Sequence, residues 1–371
     1  MMRVGILTGG GDCPGLNAVI RAVAKSLMVE CDAEIVGFED GFLGMIERRS
    51  RPLSYMDVSG ILAQGGTILG THNRANPTKY FGAGGADVSD KVKAYYDELG
   101  LDGVVVLGGD GTMSICYAMS QHGMNFIGVP KTIDNDLMQT DQTFGFDTAV
   151  SIATDAIDRL QTTGQSHQRV MILETMGRYA GWIALYSGIA GGADVILIPE
   201  IPYDIDEIAR VCQSRKDRQR FTIIVVAEGA KPAGGGLTVR EQVEDSPDPI
   251  RLGGVGNVIR YELEKRIDSE IRTTVLGHIQ RGGTPTPFDR VLATKFGCYA
   301  ASLVASGQWG RMVALQDNRL TSVELDKVAN KTRMVERDSM AVASALGIGS
   351  SFGCTDLEVS LAKLGDNKVA L

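Results

Sequence analysis

The chain has no basic excess. Lys and Arg total 37 against 45 Asp and Glu, a formal net charge of −8, so it carries no general electrostatic footprint for nucleic acid. Long apolar runs are missing as well. Ile223-Ile224-Val225-Val226-Ala227 has the length of a strand, far short of the roughly 20 residues a membrane-spanning helix needs, and no membrane partner is expected. Cys13, Cys31, Cys116, Cys212, Cys298 and Cys354 form no CxxC pair and no short Cys/His cluster. That spacing argues against a zinc site and suits small residues in a reducing compartment. No charged-then-apolar leader opens the chain, because Met1-Met2-Arg3 runs straight into a strand pattern, and a cytoplasmic location is the expectation. Two nucleotide fingerprints are also absent. No GxxxxGKS or GxxxxGKT occurs, and with Gly9 and Gly11 as the first pair of a dinucleotide motif, Pro14 stands where the third glycine belongs.

What is present is a folded composition, 44% apolar and 22% charged over 371 residues, with room for two domains. Strand-like runs alternate with helical patterns. Val4–Thr8 leads to a helix near 16–28 and then Glu34–Phe38; Val104–Leu107 leads to a helix near 112–122 and then Phe126–Val129. Val170–Leu173, Val195–Ile198 and Thr222–Ala227 repeat the style in the second half. The expectation is an α/β fold of two similar domains, each a mostly parallel sheet covered by helices. Residues 1–139, completed by about 257–310, are expected to form one domain. Residues 140–256 form the other, with a surface insertion at 231–256 rich in Gly, Pro and charge, and 311–371 form a C-terminal helical segment.

Chemistry concentrates in two glycine turns and one acidic loop. Gly9-Gly10-Gly11-Asp12 follows the first strand, and Gly108-Gly109-Asp110-Gly111-Thr112 follows Val104–Leu107. Glycines there let backbone N–H groups approach a phosphate, and both turns fall at strand carboxyl ends, where ligands bind in parallel sheets. Asp110 suits magnesium, a hard cation that takes oxygen ligands and few carboxylates. Pro130-Lys131-Thr132-Ile133-Asp134-Asn135-Asp136 places two carboxylates in one short loop. In an extended loop, alternation points Thr132, Asp134 and Asp136 the same way, one acid to take a proton and the other to position metal or loop. Arg169, Arg178, Arg272, His278 and Arg281 are scattered in sequence but suited to a sugar phosphate, and Glu228 ends a strand where sugar hydroxyls can donate to it.

The motifs GGGDCPGLNAVIR (9–21), GGDGT (108–112), PKTIDND (130–136), SHQRVMILETMGRYAGW (166–182) and TTVLGHIQRGGTPTPFDR (273–290) together resemble the 6-phosphofructokinase family. The resemblance runs from about Met2 to Gly310. It implies an active site in the cleft between the two domains and phosphoryl transfer from ATP, with Mg2+, to the 1-hydroxyl of fructose 6-phosphate. Asp134 is then the base and Asp110 the magnesium ligand. Gly11, Arg74, Gly109, Asp110, Gly111 and Thr112 bind the donor, Arg74 lying in a loop one residue longer than usual. Thr132, Ile133, Asp134, Asp136, Met176, Gly177, Arg178, Glu228, His278 and Arg281 bind the sugar phosphate. Arg169 and Arg272 come from a neighbouring subunit, so a homodimer or homotetramer with shared sites is implied. Donor choice turns on Gly111 and Lys131. Gly111 leaves room for a nucleotide, whereas Lys131 is the residue of pyrophosphate users, and pyrophosphate is the alternative donor.

Overall fold

The computed structural model describes residues 1–216, 221–242 and 250–357. In chain order its first elements are β1 (Arg3–Thr8), α1 (Leu16–Cys31), β2 (Glu34–Phe38), α2 (Phe42–Glu47), β3 (Ser50–Leu53), α3 (Ser89–Glu98), β4 (Gly103–Gly108), α4 (Asp110–Ser120), β5 (Phe126–Pro130) and α5 (Phe146–His167). Then follow β6 (Val170–Thr175), α6 (Trp182–Ala190), β7 (Val195–Leu197), α7 (Ile205–Lys216), β8 (Thr222–Ala227), β9 (Val239–Gln242), β10 (Ile250–Leu252) and α8 (Val255–Glu264). The last are β11 (Ile271–Val275), α9 (Pro287–Ala305), β12 (Arg311–Gln316), β13 (Arg319–Glu324) and α10 (Met340–Gly347).

The chain divides into two compact units. Met1–Thr148 and Arg281–Thr332 build the first around a seven-stranded sheet of order β13-β12-β5-β4-β1-β2-β3. Its five inner strands pair in parallel, and only β3 and β13 run antiparallel, at the two edges. Every residue of β4 is buried, as a strand covered on both faces requires. Leu7, Phe38, Val104, Val106, Met113 and Phe126 lie in its core.

The second unit holds the described residues of 149–242, 250–280 and 333–357. Its sheet, β11-β6-β8-β7, is parallel throughout. Val170, Ile172, Ile224, Val226, Ile259 and Leu263 pack its core. The outer edge of β7 is covered by the chain near its C-terminal end. Ile196 N donates to Ser351 O at 2.8 Å, Ser351 N donates to Asp194 O at 2.9 Å, and Phe352 is buried beside them.

The α/β class and the two mostly parallel sheets agree with the sequence reading. Three details differ. The polar stretch after Asp136 is no boundary: Leu137, Thr140, Thr143 and Phe144 are buried, and Asp141 N donates to Leu315 O at 2.8 Å while Leu315 N donates to Thr140 Oγ1 at 3.0 Å. Residues 257–280 belong to the second unit, because β11 registers against β6 from Ile271↔Val170 to Val275↔Glu174. The segment expected to be helical from 311 opens on the hairpin β12–β13. Its two-residue turn, Asp317-Asn318, has φ of 49° and 60°, the left-handed pair that a tight hairpin needs and that Asp and Asn tolerate. Residues 358–371 of that segment, and 243–249 of the expected insertion, lie outside the described residues; the rest of the insertion carries the antiparallel ribbon β9–β10. Among the described residues no helix is long and apolar enough to cross a membrane.

Candidate active site

In the first unit, the ends of β1, β4 and β5 lie side by side, so the two glycine turns and the acidic loop meet. Gly9 N donates to Leu107 O at 2.9 Å, and Lys131 N donates to Gly108 O at 3.0 Å. Not all the glycines serve close approach to a ligand. A Cβ on Gly9 would stand 2.8 Å from Thr112 Cγ2, and one on Gly108 would stand 2.3 Å from Thr112 Cβ. Those two glycines make room for Thr112, which wedges the turns together. Gly111 is different, since a Cβ there meets nothing within 4 Å, and Gly109 meets only Lys131 O at 3.5 Å. Asp110 opens α4 from this open rim and is half-buried.

Lys131 is buried, and its ammonium donates to the carbonyl of Gly11. It thus fastens the first glycine turn to the acidic loop. Arg281 reaches the same turn, its Nη1 donating to Asp12 O at 3.2 Å; a Cβ on Gly11 would crowd that nitrogen at 2.9 Å. Cys13 packs at the base of the turn, where burial pushes its thiol up to about 12, so it is a packing residue rather than a nucleophile.

The acidic loop is not extended throughout. Asn135 has φ of 52°, which breaks the alternation expected for Thr132, Asp134 and Asp136. Asn tolerates this left-handed geometry, and its side chain clasps the loop: Thr143 N donates to Asn135 Oδ1 at 3.0 Å, and Thr143 Oγ1 donates to Thr132 O at 2.7 Å. Thr132 Oγ1 in turn accepts from Asp134 N at 3.0 Å. Asp134 and Asp136 are both buried, and Asp136 has a partner. Asp134 Oδ1 is buried without any hydrogen-bond partner, an arrangement folding does not favour unless a ligand completes it. The Ile133 side chain is fully buried, which leaves only its backbone to face a ligand.

In the second unit, the loop after β6 carries Met176, Gly177 and Arg178. Gly177 has φ of 142° and Arg178 φ of 52°, and a Cβ on Gly177 would stand 2.6 Å from Ala180 O. Glu228, at the end of β8, holds the turn by accepting from Arg178 N at 3.0 Å. Glu200 holds its far end, accepting from Gly181 N at 3.0 Å. Glu174, buried within β6, accepts from Gly254 N and Gly256 N at 2.8 Å and so caps α8. Arg169 and Arg272 both pair with Glu270; the hydrogen bond from Arg169 holds that carboxyl below its usual range. His278 is exposed in a short 3-10 turn after β11. Asn135, Glu174 and Glu200 were missed in the sequence. The signal for Glu174 is a lone carboxylate placed directly after the apolar run Val170-Met171-Ile172-Leu173.

Residues 3–304 match the phosphofructokinase family. The chain belongs to that family. It is 51% identical to ATP-dependent 6-phosphofructokinase 2 of Clostridium perfringens over 358 residues, covering 94% of this chain and 98% of that one. It is also 49% identical to the pyrophosphate–fructose 6-phosphate 1-phosphotransferase of Amycolatopsis methanolica, covering 90% of this chain and 96% of that one. Among solved structures, Pichia pastoris phosphofructokinase in the T-state aligns with TM-score 0.77 and 29% identity over 88% of this chain and 35% of that longer one. Phosphofructokinases of both donor types stand at near-equal distance, so the donor must be argued from residues.

Proposed function

We propose that the chain transfers the γ-phosphoryl group of ATP to the 1-hydroxyl of fructose 6-phosphate, giving fructose 1,6-bisphosphate and ADP. Asp134 takes the hydroxyl proton, the sugar oxygen bonds to the γ-phosphorus, and the bond from that phosphorus to the bridging oxygen breaks as ADP leaves. The observation that carries this reading is Asp134 Oδ1, a buried acceptor without a partner in the protein. It lies in the loop that Lys131 ties to the first glycine turn, at the strand ends where Gly109 and Gly111 leave open backbone. The donor is assigned to Gly11, Arg74, Gly109, Asp110, Gly111 and Thr112. The sugar phosphate is assigned to the acidic loop, to Met176, Gly177, Arg178, Glu228 and His278, and to Arg281, with Arg169 and Arg272 serving a neighbouring subunit of a homodimer or homotetramer. The setting is cytoplasmic.

Among the described residues no group of three or more His, Cys, Asp or Glu is arranged to hold a metal ion. Half-buried Asp110, at the open start of α4, fits magnesium arriving with the nucleotide, an ion that keeps waters and phosphate oxygens and takes only one or two carboxylates. When bound, the ion neutralises charge on the donor phosphates. Positioning and proton removal remain tasks of the chain's own residues.

ATP is favoured over pyrophosphate by two features. The space beside Gly111 is open, and Lys131, the residue that favours pyrophosphate, already spends a hydrogen bond on the carbonyl of Gly11. The test is turnover with ATP and with pyrophosphate in the wild type and in Gly111→Asp. The open space predicts that the variant folds and that its carboxylate repels nucleotide, lowering kcat/KM for ATP by about 100-fold or more (about 3 kcal/mol of like-charge repulsion). Unchanged ATP kinetics would remove Gly111 as the gate.

A further inference from the structure

Arg74 sits in the loop whose length departs from the usual family pattern, and the structure shows what steadies it. Two hydroxyls tie the start of this loop to β1 and its glycine turn: Thr8 Oγ1 donates to Gly70 O and Thr71 Oγ1 donates to Gly10 O, each at 2.5 Å. Beyond that tether, Arg74 N donates to Nδ1 of His72 at 3.1 Å. The imidazole stacks on Phe81, with ring centroids 5.3 Å apart and planes 10° from parallel. The guanidinium carbon of Arg74 lies 4.8 Å from the centroid of the same ring. One phenyl ring therefore carries both the imidazole that fixes Arg74's backbone and the cation that its side chain presents.

We propose that His72 and Phe81 are positioning residues that hold Arg74 toward the donor phosphates, and that His72 does so only as the neutral imidazole. This rests on the reading of Arg74 as a donor contact. An imidazole nitrogen accepts a hydrogen bond only when it carries no proton. Protonation at Nδ1 would set two N–H groups against each other and place a second positive charge beside Arg74. The charged groups that act on His72 come from several elements: Asp40 and Glu47 favour the proton, while Arg74 and Arg49 oppose it. Burial outweighs the two acids and pushes His72 below the ordinary histidine range, so the clamp is set at neutral pH and released on acidification.

The test is donor KM from pH 5 to pH 8 in the wild type, His72→Asn, His72→Ala, Phe81→Leu and Arg74→Ala, with sugar KM as the control. Asn at 72 offers an amide oxygen to the same N–H and does not titrate. His72→Asn should match the wild type at pH 8 and lack the extra rise in donor KM that the wild type shows toward pH 5; titration of ATP itself is common to both curves. Phe81→Leu, which removes the cation–π contact, should raise donor KM about threefold, and His72→Ala should raise it at every pH. Sugar KM and kcat should stay put in both. Parallel pH curves for the wild type and His72→Asn, or an unmoved donor KM in Phe81→Leu, would overturn the proposal. Arg74→Ala separates the layers: a large donor defect there with no effect at 72 or 81 defeats only the positioning roles, whereas no defect at Arg74 defeats the donor contact itself.

Discussion

Asp134 and Glu200 each keep one buried carboxylate oxygen without a hydrogen-bond partner, yet the two regions around them are built for different ends. Glu200 spends Oε1 on two backbone groups, Gly181 N at 3.0 Å and Val335 N at 2.9 Å, and so joins the loop after β6 to the chain beyond Arg333. Its idle oxygen is walled in, since a Cβ on Gly181 would lie 2.9 Å from Oε2 and 2.4 Å from Ile198 Cβ. Asp134 bridges no elements through its carboxylate in that way. Its loop is held by others, namely Asn135, Thr143 and Lys131, which leaves its Oδ1 without a structural task at the ends of parallel strands. An unsatisfied acceptor is therefore not by itself a mark of catalysis. The mark is an unsatisfied acceptor that its neighbours have relieved of structural duty.

Substitutions separate the two roles. The largest effect belongs to Asp134→Asn, which keeps the shape and removes the proposed base. Turnover should fall by about 10³-fold with substrate affinities retained in equilibrium binding, and undiminished turnover would make Asp134 as structural as Glu200. Lys131→Met comes next. Loss of its bond leaves the Gly11 carbonyl without that donor, a cost of about 1–3 kcal/mol. If Lys131 is a fastener, KM should rise about tenfold for any phosphate donor; a defect confined to pyrophosphate would make it a donor contact instead. Glu200→Gln should have the smallest effect, and on stability rather than rate. Burial raises the Glu200 carboxyl above its usual value near 4.5, so the folded state holds the proton longer than the unfolded chain. Stability then declines as pH rises from about 4.5 through that raised value. Gln keeps the acceptor and carries no charge. Its melting temperature should lack that decline between pH 4 and 7, while kcat and both KM values stay within about twofold.

Legibility in the sequence followed how local each determinant is. The runs Val104–Leu107 and Thr222–Ala227 were plain because strands buried on both faces are continuously apolar. Pro52 in β3 and the half-exposed face of β13 mark edge strands, whose mixed polarity hides them. The turns and PKTIDND were found because glycine and clustered acids are rare enough to notice. Their division of labour was not found. That Gly9 yields to Thr112 depends on a neighbour about 100 residues away, and that Asn135 turns the loop by a left-handed residue depends on a dihedral angle that no spacing rule records. The roles of Glu174 and Glu200 are hidden for the same reason, each carboxylate accepting from backbone groups distant in sequence.

The cover over β7 has a practical corollary. Ser351 satisfies backbone groups that would otherwise form a bare sheet margin, and Phe352 seals the flank. Trimming the chain ahead of Ser350 would uncover a short, apolar template open to recruitment by other chains. Proteolytic clipping there should therefore show itself first as self-association, before any change in turnover per intact molecule.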